Sequence, residues 1–254
     1  YSFNEPSAKG VFSVTTWNRT SWQAYKELFS KSHSIAFVNS FLLGFATSII
    51  VIVLSLLTVF SLWRQKNKIS RNYVQTTSNI PLINPDVITG LTLAIVLNVI
   101  FIGTLKSSKE GFFRAIIAHS VMCLPYGILI MLPKSDKFSK NIFEASQDLG
   151  YSKFKTLIKV IIPYAYKGIL TGFGIILMMS ATSIIISDKM LPNGSQKQLI
   201  GNLINQFANT ANPFDVSTAS TLVIITMIIL LSLYGLIYGI PYLISKHKQG
   251  GIYE

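Results

Sequence analysis

Residues 144–163, EASQDLGYSKFKTLIKVIIP, are polar and amphipathic, yet they lie between two long apolar runs. An apolar stripe at helical spacing enters this stretch from the residues just before it and consists of Phe138, Ile142, Ala145 and Leu149. Gly150 follows at once, at the position where a helix that ends in a left-handed residue favours glycine. The first half of the stretch is therefore predicted to be a short amphipathic helix closed by a glycine turn.

The second half of the stretch predicts another short helix. Ser152 can cap its beginning. Its apolar side would consist of Phe154, Leu157, Ile158 and Ile161. Pro163 is expected to mark the start of the next apolar run, because the residue before a proline disfavours helical backbone. The pattern as a whole indicates helix, glycine turn, helix.

The composition indicates a membrane protein. Of 254 residues, 50% are hydrophobic and only 13% are charged, and the mean hydropathy is +0.48. Soluble domains contain about 25% charged residues. The net charge of +12 does not indicate a nucleic-acid partner, because the cations cluster in short loops between apolar runs. A single cysteine, Cys123, and three scattered histidines predict neither a disulfide framework nor a metal site.

Five apolar stretches approach the roughly 20 residues that a helix needs to cross a bilayer. They cover residues 35–63, 80–105, 113–132, 164–187 and 217–245. We therefore expect an all-α, polytopic helical bundle with five spans, and six if a span precedes residue 1. The second and third stretches contain internal proline, asparagine or histidine, which neighbouring helices in a bundle can accommodate.

Lys and Arg predict the orientation, because they concentrate in cytoplasmic loops. The loop at residues 133–163 is rich in lysine, as are the first connection and the tail at residues 246–254. These segments are expected on the cytoplasmic side of the membrane. Residues 1–34 would then be external and carry a short interfacial helix in WQAYKELF, and residues 35–245 would form the membrane domain.

Two roles remain open for the polar stretch on physical grounds alone. Ala145 and Ser146 are small and lie beside Glu144, so a partner could approach that surface closely. Alternatively, the stretch could be a connector that packs under the helical bundle.

The stretch resembles the cytoplasmic loop of ABC importer permeases. The family pattern is Glu-Ala-Ala, three residues, Gly, nine residues, Ile-x-Leu-Pro. Here it reads Glu144-Ala145-Ser146, then Gly150, then residues 160–163, Val-Ile-Ile-Pro, with the spacing intact. The resemblance implies a type I ABC importer fold and a coupling helix that docks on an ATPase subunit. The residues implied in coupling are Glu144, Ala145, Ser146, Asp148, Leu149, Gly150 and Phe154.

Four further stretches resemble the C-type permease of spermidine/putrescine importers. They are YSFN at residues 1–4, NPDVITGLTL at 84–93, AHSVMCLPYGI at 118–128 and ANPFDVSTASTL at 211–222. The resemblance implies polyamine import together with a second homologous permease, two ATP-binding subunits and an extracellular binding protein. ATP and Mg²⁺ would bind the partner subunits, because this sequence lacks the Gly-x-x-x-x-Gly-Lys-Ser/Thr loop. The chain itself would bind no cofactor and catalyse no reaction.

The substrate pathway departs from that family. Thr182 and Ser183 stand where those permeases usually carry two adjacent aspartates. Holding a polycation within a membrane favours carboxylates or aromatic faces. Asp86 and Tyr126 are therefore the other candidate pathway residues, although Asp86 could also serve only as a helix N-terminal charge. His119 is expected to bond to a neighbouring helix.

The alternatives to polyamine import are import of another small solute by the same kind of permease, and a single-chain secondary transporter. The latter would show broken helices with mid-membrane carboxylates, which the five stretches lack. A membrane-embedded enzyme would need a clustered catalytic constellation, and none is apparent.

Overall fold

The computed structural model describes residues 2–4, 17, 19–27, 31–64, 68–83, 86–104, 111–184, 186–187, 191, 198–209 and 213–250. Within these residues the chain is almost entirely helical, with one isolated bridge between Asn4 and Thr20. The helices are α1 (Gln23–Glu27), α2 (Lys31–Arg64), α3 (Lys68–Ile83), α4 (Asp86–Asn98), α5 (Phe112–Asp136), α6 (Lys140–Asp148), α7 (Lys153–Thr156), α8 (Ile162–Thr182), α9 (Ile200–Ala208) and α10 (Pro213–Gly250). Wider π-helical turns, Val99–Thr104 and Leu157–Ile161, follow α4 and α7.

Four helical stretches are long and apolar enough to cross a bilayer: His33–Arg64, Phe112–Asp136, Lys153–Thr182 and Val216–Leu236. They confirm the first, third, fourth and fifth predicted spans. The second prediction corresponds to a shorter apolar helix, Val87–Phe101. Its predicted beginning at residue 80 was wrong, because Ile80 still belongs to α3 and a new helix begins at Asp86.

Helices α2, α5 and α8 pack against one another and form the centre of the bundle. Their shared core is apolar and includes Val51, Cys123 and Ile176, each completely buried. A second cluster, which includes Leu43, Ala118 and Leu199, joins α2, α4 and α5 to the start of α9. Helix α10 packs on α8 and α9, whereas α3 and α4 pack on α5.

Helix α2 shows the arrangement that a bilayer selects. Its outward face is apolar, with Val38, Leu42 and Phe45 each more than half exposed. Its inward face carries the hydroxyls of Thr47 and Ser55, which are completely buried. This arrangement would be costly in water but suits lipid, where apolar side chains need no partner and polar ones turn toward the bundle.

Helix α3 corrects the prediction that the basic segment after the first span is only a loop. Arg71 and Val74 are half-buried and Ser78 is buried, and these three residues recur at helical spacing. Arg71 forms a salt bridge with Asp136 at the end of α5. Both side chains are partly exposed, so the pair contributes only about 0.2–1 kcal/mol.

Helix α8 also departs from its prediction at both ends. It ends at Thr182 rather than residue 187, because Ser183 adopts an extended backbone. Pro163 does not separate it from the preceding helix, since helical backbone runs from Lys153 to Thr182. The π-helical turn before Pro163 widens the helix where the proline ring would clash with a preceding carbonyl.

Helix α9 is seated tightly against the end of α8. The backbone N–H of Ile200 donates to Ser40 Oγ at 2.8 Å, and the Asn202 amide donates to the Ser187 carbonyl at 2.9 Å. Gly201 lies between them, and a Cβ there would come within 2.5 Å of the Ser183 carbonyl oxygen. This contact involves backbone, which cannot move aside without shifting the end of α8.

We expect Gly201→Ala to lower the stability of the chain by about 1–3 kcal/mol, the usual cost of overpacking. The thermal unfolding midpoint in detergent measures it. Gly235→Ala is the matched control, because nothing lies within 4 Å of a Cβ built at that helical glycine. Equal midpoints for the two variants would contradict the tight packing of α9 on α8.

Candidate functional site

The polar stretch folds as a hairpin, here defined as residues 138–161. Its first arm, α6, begins at Ser139, whose hydroxyl accepts a hydrogen bond from the Asn141 N–H at 3.3 Å. The arm ends in a left-handed residue, Gly150, with φ of +81°. The predicted glycine turn is confirmed.

Two hydrogen bonds around Gly150 close the helix end. The N–H of Gly150 donates to the Gln147 carbonyl at 2.8 Å, and that of Tyr151 donates to the Ser146 carbonyl at 3.1 Å. This is the Schellman arrangement, which satisfies carbonyls that a helix end otherwise leaves free. No atom lies within 4 Å of a Cβ built at Gly150, so the backbone conformation alone favours glycine there.

The second arm begins at Ser152, whose hydroxyl accepts from the Lys155 N–H at 3.3 Å and confirms the predicted cap. Thr156 then joins the two arms. Its hydroxyl lies 2.9 Å from Ser146 Oγ and accepts from the Gln147 amide at 2.9 Å. Thr156 is completely buried. The polar network therefore fixes the angle between the arms from inside the hairpin.

The hairpin presents its predicted apolar stripe to the outside. Of that stripe only Phe138 is buried, whereas Leu149 is 80% exposed and Ile142 is also exposed. On the second arm Phe154 is 67% exposed, while Leu157 turns inward. A connector packed under the bundle would bury the stripe. The stripe is instead exposed, as are the adjacent side chains of Glu144 and Asp148.

Ser146, one of the predicted coupling residues, lies on the inner face of the hairpin. Ser146 was predicted to form part of a low surface beside Glu144, but it is 5% exposed and bonds inside the hairpin. Its hydroxyl also donates to the Phe143 carbonyl at 2.6 Å. The small side chain at this position therefore allows the two arms to pack closely.

An aromatic cluster that sequence reasoning missed joins the hairpin to the spans. The Trp63 ring lies 5.3 Å from Phe138 and 5.4 Å from Phe143, and the Phe138 ring lies 5.0 Å from Tyr164. The Tyr164 hydroxyl donates to the Lys137 carbonyl at 3.0 Å. The signal was available, because aromatic residues at span ends favour the membrane interface.

Three of the predicted pathway residues, Tyr126, Thr182 and Ser183, do not form one site. Tyr126 is half-buried next to Gly127, which packs against Ser55 of α2. Thr182 and Ser183 follow Ala181, which packs against Gly44 of α2. Positions 44 and 55 are separated by about 16 Å along the helix, so Tyr126 lies at a different depth from Thr182.

The end of α8 also determines which hydrogen bonds Thr182 and Ser183 form. Thr182 is exposed, and its hydroxyl donates back to the Met178 carbonyl at 2.8 Å. The Ser183 carbonyl accepts from the Ser187 hydroxyl at 2.6 Å and lies against Gly201. Asp86 is the first residue of α4, and its side chain lies outside the described residues.

Buried polar atoms without hydrogen-bond partners line the packed helices. Both ring nitrogens of His119 are buried and have no partner within the described residues, contrary to the predicted bond to a neighbouring helix. The hydroxyls of Thr47, Ser55 and Ser180 are likewise buried without a hydrogen-bond partner within the described residues. They come from α5, α2 and α8, so polar groups concentrate inside the bundle. Among the described residues no group of three or more His, Cys, Asp or Glu could hold a metal ion.

The sequence and the fold are similar to those of known membrane transport proteins. Residues 60–242 match the family described as "binding-protein-dependent transport system inner membrane component". The chain is 29% identical over 255 residues to a Mycoplasma pneumoniae protein, a spermidine/putrescine transport system permease protein PotC homolog, covering 98% of this chain and 85% of that protein. It is 24% identical to the Haemophilus influenzae spermidine/putrescine transport system permease protein PotC. That match covers 87% of this chain and 83% of the Haemophilus protein.

A further similarity covers part of the chain. The Escherichia coli permease protein PotB of a spermidine/putrescine transport system is 35% identical over 118 residues, which is 46% of this chain and 42% of that protein. The fold is similar to that of a chain in the crystal structure of a bacterial ABC transporter involved in the import of the acidic polysaccharide alginate. The TM-score is 0.60 at 15% identity, and the match covers 88% of this chain and 85% of the other.

The spans, the hairpin between them and the match over residues 60–242 lead to one conclusion: the chain is a multi-pass membrane protein that belongs to the family of binding-protein-dependent transport system inner membrane components.

Proposed function

We propose that this permease forms half of the translocation pathway of an ATP-driven importer and that polyamines, spermidine and putrescine, are its substrates. The observation that carries the transport mechanism is the outward face of the hairpin. It combines exposed apolar side chains, chiefly Leu149 and Phe154, with the exposed carboxylates of Glu144 and Asp148. An exposed apolar patch rimmed by charge is typical of a surface that a partner covers.

The partner on that face is an ATP-binding subunit. ATP and Mg²⁺ bind to two such subunits, and this chain contributes no nucleotide site. A second homologous permease completes the pathway, and an extracellular binding protein delivers the substrate. The distribution of Lys and Arg supports a cytoplasmic hairpin and C-terminus.

The hairpin can transmit force because it is continuous with a span. Helical backbone runs from Lys153 through the π-helical turn to Thr182, so a push on the hairpin reaches α8 directly. Helix α8 packs on α2, α5 and α10, the other long helices of the bundle. When the ATPase subunits close on ATP, the hairpin moves with them and the spans tilt between two arrangements. This is alternating access in which the hairpin acts as a rigid lever on α8.

The names of the relatives support polyamines as the substrate class, as do the sequence motifs shared with spermidine/putrescine permeases. The interiors of the spans contain no Asp or Glu. A polycation must therefore be bound there without carboxylates. Aromatic faces such as Tyr126, and hydroxyls such as those of Thr182 and Ser183, remain for that role. Because Tyr126 and Thr182 lie at different depths, they act as successive contacts along the pathway rather than as one binding site. Asp86 at the start of α4 supplies a carboxylate at one end of a helix.

If the hairpin transmits force to α8, transport activity should depend on the turn at Gly150. Gly150→Val should cost about 1–2 kcal/mol, because a β-branched residue disfavours the left-handed backbone. Spermidine uptake and transport-linked ATPase activity of the assembled transporter should then both fall, while the external binding protein keeps its affinity. Gly150→Asn is the control, since asparagine tolerates this backbone and the surrounding space is open. Normal uptake in the valine variant would contradict the lever.

The substrate class is tested separately by competition in proteoliposomes that contain the whole transporter and its binding protein. ATP-dependent uptake of labelled spermidine should be reduced by excess putrescine and unaffected by excess thiamine. Competition by thiamine but not by putrescine would reject polyamines and leave the permease function intact. Uptake without ATP would reject the ATP-driven mechanism itself.

A further inference from the structure

An apolar cavity lies where the hairpin meets the spans. Its enclosed volume is about 40 Å³, and the rest of the groove is open to the surroundings. It opens between the ends of α2 and α5 and the start of α8. Its lining comes from these three helix ends and the hairpin, and it includes Trp63, Lys134, Phe138, Ile161, Tyr164 and Ala165.

The lining suits a hydrocarbon ligand rather than a polar solute. Its polar groups are few and already engaged within the protein. The Ser135 hydroxyl donates to the Leu132 carbonyl at 2.7 Å, and the Tyr164 hydroxyl donates to the Lys137 carbonyl. The rest of the described lining is aliphatic or aromatic, apart from Lys134.

The mouth of the cavity is basic. Lys134 is exposed, and its aliphatic stem runs across Gly168, where a Cβ would come within 3.0 Å of it. Lys137 and Lys167 are exposed on the same part of the protein, and the Arg64 guanidinium lies 5.7 Å from the Phe60 ring centroid. The nearby carboxylate, Asp136, is already paired with Arg71. A ligand that combines an apolar chain with an anionic group therefore matches both parts of the site.

The depth of the cavity points to the source of such a ligand. Trp63, Phe138 and Tyr164 lie at the ends of spans, where aromatic rings mark the membrane interface. Lysine and arginine at this depth are attracted to anionic lipid headgroups. An acyl chain could enter from the adjacent leaflet while its phosphate stays at the surface.

We infer that this cavity binds an acyl chain of an anionic phospholipid, with the headgroup phosphate held by Lys134. The bound chain contacts Phe138 and Ile161, the first and last residues of the hairpin, as well as Trp63 of α2. It fills the space between the lever and the bundle. The inference depends on membrane insertion of the chain and is independent of which solute is transported.

Trp63 is a direct reporter, because it lines the cavity. The double variant Trp17→Phe, Trp22→Phe leaves it as the sole tryptophan of the chain, since the sequence contains three. In nanodiscs of the full-length chain, brominated phosphatidylglycerol should quench Trp63 fluorescence more strongly than brominated phosphatidylcholine at equal bromine content. Lys134→Gln should weaken the apparent affinity for phosphatidylglycerol about fivefold. Lys153→Gln, an exposed lysine away from the lining, is the matched control and should leave the affinity unchanged.

Ala165→Phe should block the cavity and remove the quenching by phosphatidylglycerol. If that variant does not fold, the comparison of the two lipids and Lys134→Gln still decide the matter. Equal quenching by the two lipids, or an unchanged affinity in Lys134→Gln, would overturn the inference. Native mass spectrometry of the assembled transporter gives the second readout. Loss of retained phosphatidylglycerol on assembly would show that a partner protein occupies the cavity instead, which also overturns it.

Discussion

The hairpin depends on the turn at Gly150, because this turn brings its two arms into contact. Gly150 has a φ of +81° and reverses the direction of the chain in a turn closed by two backbone hydrogen bonds. The turn places Ser146 beside Thr156. The buried hydroxyls then fix the inner face of the hairpin, and the apolar side chains on the other face remain outside. An L-residue with a branched side chain would oppose this backbone, so the sequence specifies glycine for conformation and not for space.

The bundle beneath the hairpin exposes apolar side chains and buries several polar ones beside its apolar core. Valine, leucine and phenylalanine of α2 face outward, whereas serine and threonine hydroxyls, together with His119, lie inside. Polar groups in a membrane are retained where they serve a pathway or tie helices together. In this chain several of them lack hydrogen-bond partners within the described residues. They lie on α2, α5 and α8, which pack against one another, so any movement of α8 would change their surroundings directly.

Much of this was predictable because two strong constraints act on the sequence. Crossing a bilayer requires about 20 apolar residues, which located the spans at residues 35–63 and 113–132. Glycine and serine at fixed positions located the hairpin. Other features were not predictable by the same means. Helix α3 was hidden because Lys68 and Arg71 suggest a loop, and the end of α8 was hidden because the chain stays apolar beyond Thr182. Periodicity revealed the stripe through Ile142 and Leu149, but it could not reveal whether that stripe packs inward or remains open.

The central claim is that the outward face of the hairpin binds an ATP-binding subunit. The most direct measurement is disulfide cross-linking from Leu149→Cys in a Cys123→Ser background, which removes the chain's one native cysteine. The account predicts a cross-link to a cysteine placed in a surface groove of the ATP-binding subunit, with a yield that changes when ATP is added. Labelling of the same cysteine by a membrane-impermeant thiol reagent from outside intact cells would contradict the account, because it would place the hairpin on the opposite side of the membrane.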